Sequence, residues 1–141
     1  MNSQIYAAII TLFGGILISA MTYWFSKQRE LEAESRKEKL IYYKEFVESL
    51  SGVIQGESSA EGHQRYAKAT NNLNLFAPQP VLVAVNNFRE ENSISNRKNW
   101  TQERHDELLT LMLSQIRSDI NISPKDNLVT FKPKLWSSGH S

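Results

Sequence analysis

Residues 5–25 read IYAAIITLFGGILISAMTYWF, twenty-one positions without Asp, Glu, Lys, Arg or His. As an α-helix this run rises about 31 Å, against roughly 30 Å for the hydrocarbon of a bilayer, so its length fits one transmembrane span. A secretory signal wants a basic start, a shorter apolar region and a small-x-small cleavage site. Met1 to Gln4 has no basic side chain, and Ile18-Ser19-Ala20 puts Ile where a small residue is wanted. The expectation is an uncleaved signal-anchor rather than a leader. A soluble core helix is the poorer alternative, because a small domain rarely hides the whole circumference of so long a helix.

The flanks orient the span. Lys27, Arg29, Arg36, Lys37 and Lys39 follow it within about fifteen residues and no basic side chain precedes it. Positive residues stay inside, so the expected topology is single-pass in a bacterial inner membrane, N-terminus outside and C-terminal body cytoplasmic. Tyr6 at one end, and Tyr23, Trp24, Lys27 and Arg29 at the other, are the expected membrane-interface anchors. Within the span Ala8, Thr11, Gly15, Ser19 and Thr22 recur at spacings of three and four, which gives a small-residue face suited to close helix–helix packing in lipid. Partners expected on this basis are membrane lipid and either further copies of the chain or a partner transmembrane protein. With no ionisable residue inside the span, an ion relay is not indicated.

All sixteen Lys and Arg and all fifteen Asp and Glu lie at Lys27 or beyond, and they nearly cancel to a net charge of +1. No whole-chain field draws the protein to nucleic acid, and none is expected as a partner. The absence of Cys removes disulfides, thiolate catalysis and Cys-ligated metals. The portion beyond the apolar start, about 115 residues, has room for one modest core.

From Ser26 to about Ile54 nothing breaks a helix before Gly52, so the anchor is expected to continue as a charged stalk over 27–39. The stalk is polar on most faces, with Glu32–Arg36 and Glu34–Lys37 as candidate pairs. A bundle domain is expected over 40–122. Leu40, Tyr43, Phe46, Val47, Leu50 and Ile54 give its first apolar face. A second helix, capped near Ser59, runs through His63, Tyr66, Ala69, Leu73 and Phe76 until Pro78. Pro80 suits the first turn of a third, with Val81, Leu82, Val85 and Phe88 facing inward. Asn92 to Asn99 reads as a polar loop. Thr101 caps a fourth helix dense in Leu108, Leu109, Leu111, Met112, Leu113 and Ile116, expected to be the most buried. Ser123-Pro124 signals one more helical turn at the start of a tail, 123–141, whose Trp136 and other apolar residues seal the domain or bind a partner. The fold class expected is therefore all-α, an N-terminal transmembrane helix continuing into a stalk and a small four-helix cytoplasmic bundle.

Chemistry-bearing patterns are sparse. His63, His105 and His140 are scattered and lack a second ligand at metal spacing, and no Gly-rich loop precedes a Lys-Ser or Lys-Thr pair. No metal, no cofactor and no small-molecule substrate is expected. Helical bundles of the HEPN class cut RNA with an Arg and a His that have four to six residues between them. Here Arg97 and His105 have seven residues between them, so a HEPN-like ribonuclease is only a remote alternative. Arg117 and Asp119 carry opposite charges two positions apart on different faces of the last helix, as structural ion-pair candidates.

YYKEFVESLSG, NNLNLFAPQPVLVAV and LMLSQIRSDI together resemble a group of uncharacterised bacterial and phage-associated proteins with one N-terminal span and a late helix ending Arg-x-Asp-hydrophobic. The resemblance covers about Leu40 to Ile122. It implies the helical fold and a structurally chosen position for Arg117 and Asp119, and it implies no activity. The expected function is a non-enzymatic, membrane-anchored adaptor that self-associates and holds a partner at the cytoplasmic face. The alternative is an oligomerising, membrane-disrupting effector of the kind used in phage defence.

Overall fold

A computed structural model describes residues 2–53 and 59–135. The described residues are helical and contain no strand: α1 (Asn2–Leu50), α2 (Ala60–Leu73), α3 (Gln79–Glu91), a single 3₁₀ turn (Ile94–Asn96) and α4 (Gln102–Asp119). The chain divides into two compact units, Met1–Lys37 and Glu38–Ser141, and α1 contributes to both.

In the first unit α1 is long and apolar enough to cross a membrane, and none of its apolar stretch is buried in protein. Over the charged residues that follow, the ion pair formed is Lys27 with Glu30, 3.0 Å apart. The expected pairs Glu32–Arg36 and Glu34–Lys37 do not form among the described residues. One turn of helix offers each charge several neighbours at equal distance, and exposed pairs are too weakly bound for spacing to choose between them.

In the second unit one apolar core is drawn from all four helices. Tyr43, Phe46 and Leu50 come from α1, Ala69 and Leu73 from α2, Val81, Val85 and Phe88 from α3, and Leu108, Leu109, Met112 and Ile116 from α4. Met112, Phe46 and Leu73 are wholly enclosed, while Val47, Leu82, Leu111 and Leu113 are half-buried at its edge. Leu40 is 51 % exposed and does not belong to the core. The buried face of α1 starts one turn later than expected, at Tyr43, because the helix edge before it is occupied by Lys39. Ile54 and the closing segment from Trp136, including SSGHS, lie outside the described residues.

Local chemistry sets the helix ends. The Ser59 hydroxyl accepts from Gly62 N at 3.0 Å and Thr101 from Arg104 N at 3.2 Å, each satisfying a first-turn donor. Pro80 sits in the first turn of α3, where its missing N–H costs nothing. The second helix ends at Leu73, earlier than expected, and Phe76 sits in the turn that follows. It still packs inward, its ring 4.7 Å from Tyr42 and 5.7 Å from Tyr43. The expected helical turn at Ser123-Pro124 is absent, because α4 ends in a Schellman motif. Asn121 takes a left-handed φ of 56°, Ile122 N donates to Arg117 O at 3.0 Å and Asn121 N donates to Ser118 O at 3.1 Å.

The first turn of α2 crosses the end of α1 at backbone distance. Gly52 and Gly62 face each other there, and a methyl group added to Gly62 would overlap the Gly52 carbonyl. Only residues without a side chain permit this approach.

Candidate functional site

The small-residue face of the first unit lies open along α1, with Ala8, Thr11, Gly15, Ser19 and Thr22 all exposed. Its hydroxyls are already bonded within the helix: Thr11 donates to Ala7 O, Ser19 to Gly15 O and Thr22 to Ile18 O, each at 2.8 Å. A helix in lipid must satisfy its polar groups internally, and these back-bonds do so. What the face offers a neighbour is open space at Gly15, where an added methyl group would meet nothing within 4 Å. Tyr6, Tyr23 and Trp24 are exposed at the two ends of the stretch, and Trp24 stacks edge-on with Phe25 at 5.2 Å. Lys27 is engaged by Glu30, and Arg29 is exposed.

In the second unit the end of α4 gathers two charged clusters. Asp119 is at a helix C-terminus, where the backbone already carries negative partial charge, so its carboxylate needs compensation. Lys39 Nζ supplies it, 3.0 Å from both carboxylate oxygens, and Tyr43 Oη donates at 2.7 Å. Burial, then the Asp119 hydrogen bond and charge, hold the Tyr43 phenol far above its ordinary range. Lys39, assigned to the stalk on sequence, is thus fastened to the helical body.

Arg117 pairs on the other side of α4. Its Nε and Nη2 donate to the two oxygens of Asp126 at 2.8 and 3.0 Å, a bidentate fork, and its guanidinium lies over the Phe131 ring at 5.1 Å. The Asp126 hydrogen bond holds the guanidinium firmly in its charged form. Arg117 and Asp119 do not bind each other. The sequence signal for Lys39 with Tyr43 was their i,i+4 spacing on one edge of α1. Asp126 and Phe131 reach Arg117 across a loop, and no local spacing announces that.

His105 is packed rather than presented. Its Nδ1 is 2.6 Å from Asn92 Oδ1, which also accepts from Trp100 Nε1 at 3.3 Å, and its ring lies 5.2 Å from Phe88 and 5.8 Å from Trp100. Burial lowers its pKa, against the opposite pull of Asp106 and Glu91. Arg97 is exposed after the 3₁₀ turn, and among the described residues no hydrogen bond joins it to His105. A polar hollow nearby is lined by Asn87, Glu90, Glu91, Ser93 and Arg104, with Arg104 engaged by Glu107 at 2.6 Å. Among the described residues no group of three or more His, Cys, Asp or Glu is placed to hold a metal ion. Compared with protein-family models, curated proteins and solved structures, the chain shows no match in any of the three.

Proposed function

We propose that this chain is a single-pass membrane-anchored scaffold. Its span covers about Ile5 to Phe25 with the N-terminus outside, and its C-terminal body is a small four-helix bundle on the cytoplasmic face. The span self-associates or pairs with a partner span through Ala8, Thr11, Gly15, Ser19 and Thr22, and the body holds or recruits a partner there without catalysing a reaction.

The observation that carries this reading is the state of the small-residue face. It is exposed, it lies within the uncharged stretch, and its three hydroxyls are each bonded back to the helix at 2.8 Å. Such a face lets two helix backbones approach closely, and van der Waals packing between them drives association where hydrophobic burial cannot. The non-catalytic part of the reading is supported by how the charged groups are employed. Asp119, Lys39 and Tyr43 satisfy one another, Arg117 is held by Asp126, and the His105 Nδ1 is bonded to Asn92.

The test is Gly15→Leu in the full chain, purified in a mild detergent, with the mass of the complex measured against the unchanged protein. The scaffold reading expects the complex to fall to a smaller assembly. An unchanged mass refutes the small-face interface. Measuring membrane potential in cells expressing the unchanged chain separates a scaffold, which leaves it alone, from a pore-forming effector, which collapses it.

A further inference from the structure

We infer that the turn Asn127–Thr130 is a second membrane contact, an apolar tip set in a basic collar that docks on anionic lipid headgroups. Val129 is 80 % exposed and Leu128 45 % exposed at this tip. The turn that displays them is rigid. Val129 N donates to Asn127 Oδ1 at 2.9 Å, while Thr130 N and Phe131 N donate to Asn127 O at 3.1 and 2.7 Å. At its base Arg117 grips Asp126 through two hydrogen bonds and covers the Phe131 ring. The tip is therefore held ready-made, and docking it orders little further chain.

The charge around it selects the occupant. Between Asp119 and Leu135 the only carboxylate is Asp126, which Arg117 already neutralises. Lys125, Lys132 and Lys134 are exposed, and none of them forms an ion pair among the described residues. Against a whole-chain balance of +1, this short segment carries three uncompensated cations within six residues in sequence of two exposed aliphatic side chains. That combination complements an anionic headgroup layer, where each lysine adds about fivefold to affinity and the aliphatic tip enters the acyl boundary. The inference rests on the membrane-anchor reading, since a span in the same chain keeps the body at a bilayer.

The chain has no Cys, so Val129→Cys gives a unique site for an environment-sensitive fluorophore. The labelled full chain goes into lipid nanodiscs of phosphatidylcholine with and without phosphatidylglycerol, each containing a lipid spin-labelled at the headgroup. Quenching is expected in the phosphatidylglycerol discs only, reversed by high salt, and lost in Lys125→Glu/Lys132→Glu/Lys134→Glu protein whose thermal unfolding is unchanged. A label on Ile94→Cys, 83 % exposed elsewhere in the body, should not follow phosphatidylglycerol. No quenching at 129, equal quenching in the charge-reversed protein, or a fluorescence shift that follows the number of protein copies per disc and not the lipid, overturns the inference. A label on Ile16→Cys with an acyl-chain spin label reads the anchor independently. Quenching at 16 without quenching at 129 refutes the docking tip alone, and no quenching at 16 refutes the anchor beneath it.

Discussion

Replacing Gly62 by Ala sets two effects of known sign against each other. Gly62 is the third residue of α2, and Ala is favoured over Gly inside a helix by about 1 kcal/mol, so propensity alone predicts a more stable protein. The added methyl group would overlap the Gly52 carbonyl oxygen and lie 3.0 Å from Gly52 C and 3.1 Å from Gly52 Cα. Every atom it meets is backbone, so no side chain can rotate aside, and restoring contact distance requires the two segments to part. Overpacking costs about 1–3 kcal/mol where some repacking is possible, and this site belongs at or above the upper end. The net expectation is a loss of about 2 kcal/mol, or a midpoint lower by about 8–16 °C for a domain of this size. Thermal unfolding of the full chain in detergent, followed by circular dichroism, reads it directly. Gly52→Ala should act similarly, since its methyl group would lie 2.9 Å from Gly62 Cα, and the double variant should cost less than the two losses added, because one separation relieves both overlaps. Gly15→Ala, with nothing within 4 Å, is the control and should not lower the midpoint. A Gly62→Ala protein that melts at or above the parent would falsify the close backbone crossing.

Two further outcomes follow from the end of α4. Tyr43 has its folded-state pKa raised by burial and by Asp119, so its contribution is fully present below the ordinary phenol value of about 10 and is lost as pH rises beyond it. Urea unfolding between pH 8 and pH 11 should show a steeper alkaline loss in the parent than in Tyr43→Phe, where Tyr66, also raised by burial, still contributes. Tyr43→Phe should be about 1.5–3 kcal/mol less stable at pH 8 for want of one hydrogen bond to a charged group. Equal alkaline slopes in the two proteins would exclude the Tyr43–Asp119 bond as their source. Asn121, at φ 56°, should accept Gly with little change but lose about 1–2 kcal/mol as Val, whose branched side chain resists the left-handed region, and chemical denaturation of the three proteins distinguishes them.

What the sequence disclosed and what it concealed divide along the range of the forces involved. The caps Ser59 and Thr101 and the placement of Pro80 were legible because each acts within one turn of chain. The inward positions of α3 and α4 were legible because burial repeats with the helix period, and Val81, Val85, Phe88, Leu108, Met112 and Ile116 obey it. The same periodicity could not tell where the buried face of α1 begins. Leu40 satisfies the spacing, yet the edge that packs is Lys39–Tyr43–Phe46–Leu50, and only the position of Asp119, eighty residues from Lys39, decides between them. The meeting of Gly52 and Gly62 was not legible, since a close crossing of two backbones leaves no local signature. The end of α4 beside Ile120 was legible, but the left-handed cap that makes it was hidden, because Asn121 fills a position where Gly is the usual signal.

The Arg-x-Asp-hydrophobic ending of α4 acquires a physical meaning from these details. Asp119 lies where the helix dipole opposes a carboxylate, and Arg117 where the dipole favours a cation, so the two have opposite needs although they are two residues apart. The Schellman turn at Asn121 stops the helix one residue after Asp119, fixing both side chains against the core that Ile116 and Ile120 help to build. From there Asp119 binds the edge of α1 through Lys39 and Tyr43, and Arg117 binds the segment after α4 through Asp126 and Phe131. One short motif thus ties down both the entry to the helical body and its exit. A charge reversal at either position leaves a part-buried partner uncompensated, whereas an exposed pair such as Lys44–Glu48 can be lost at small cost. That asymmetry is a sufficient structural reason for the two charges to stand where they do.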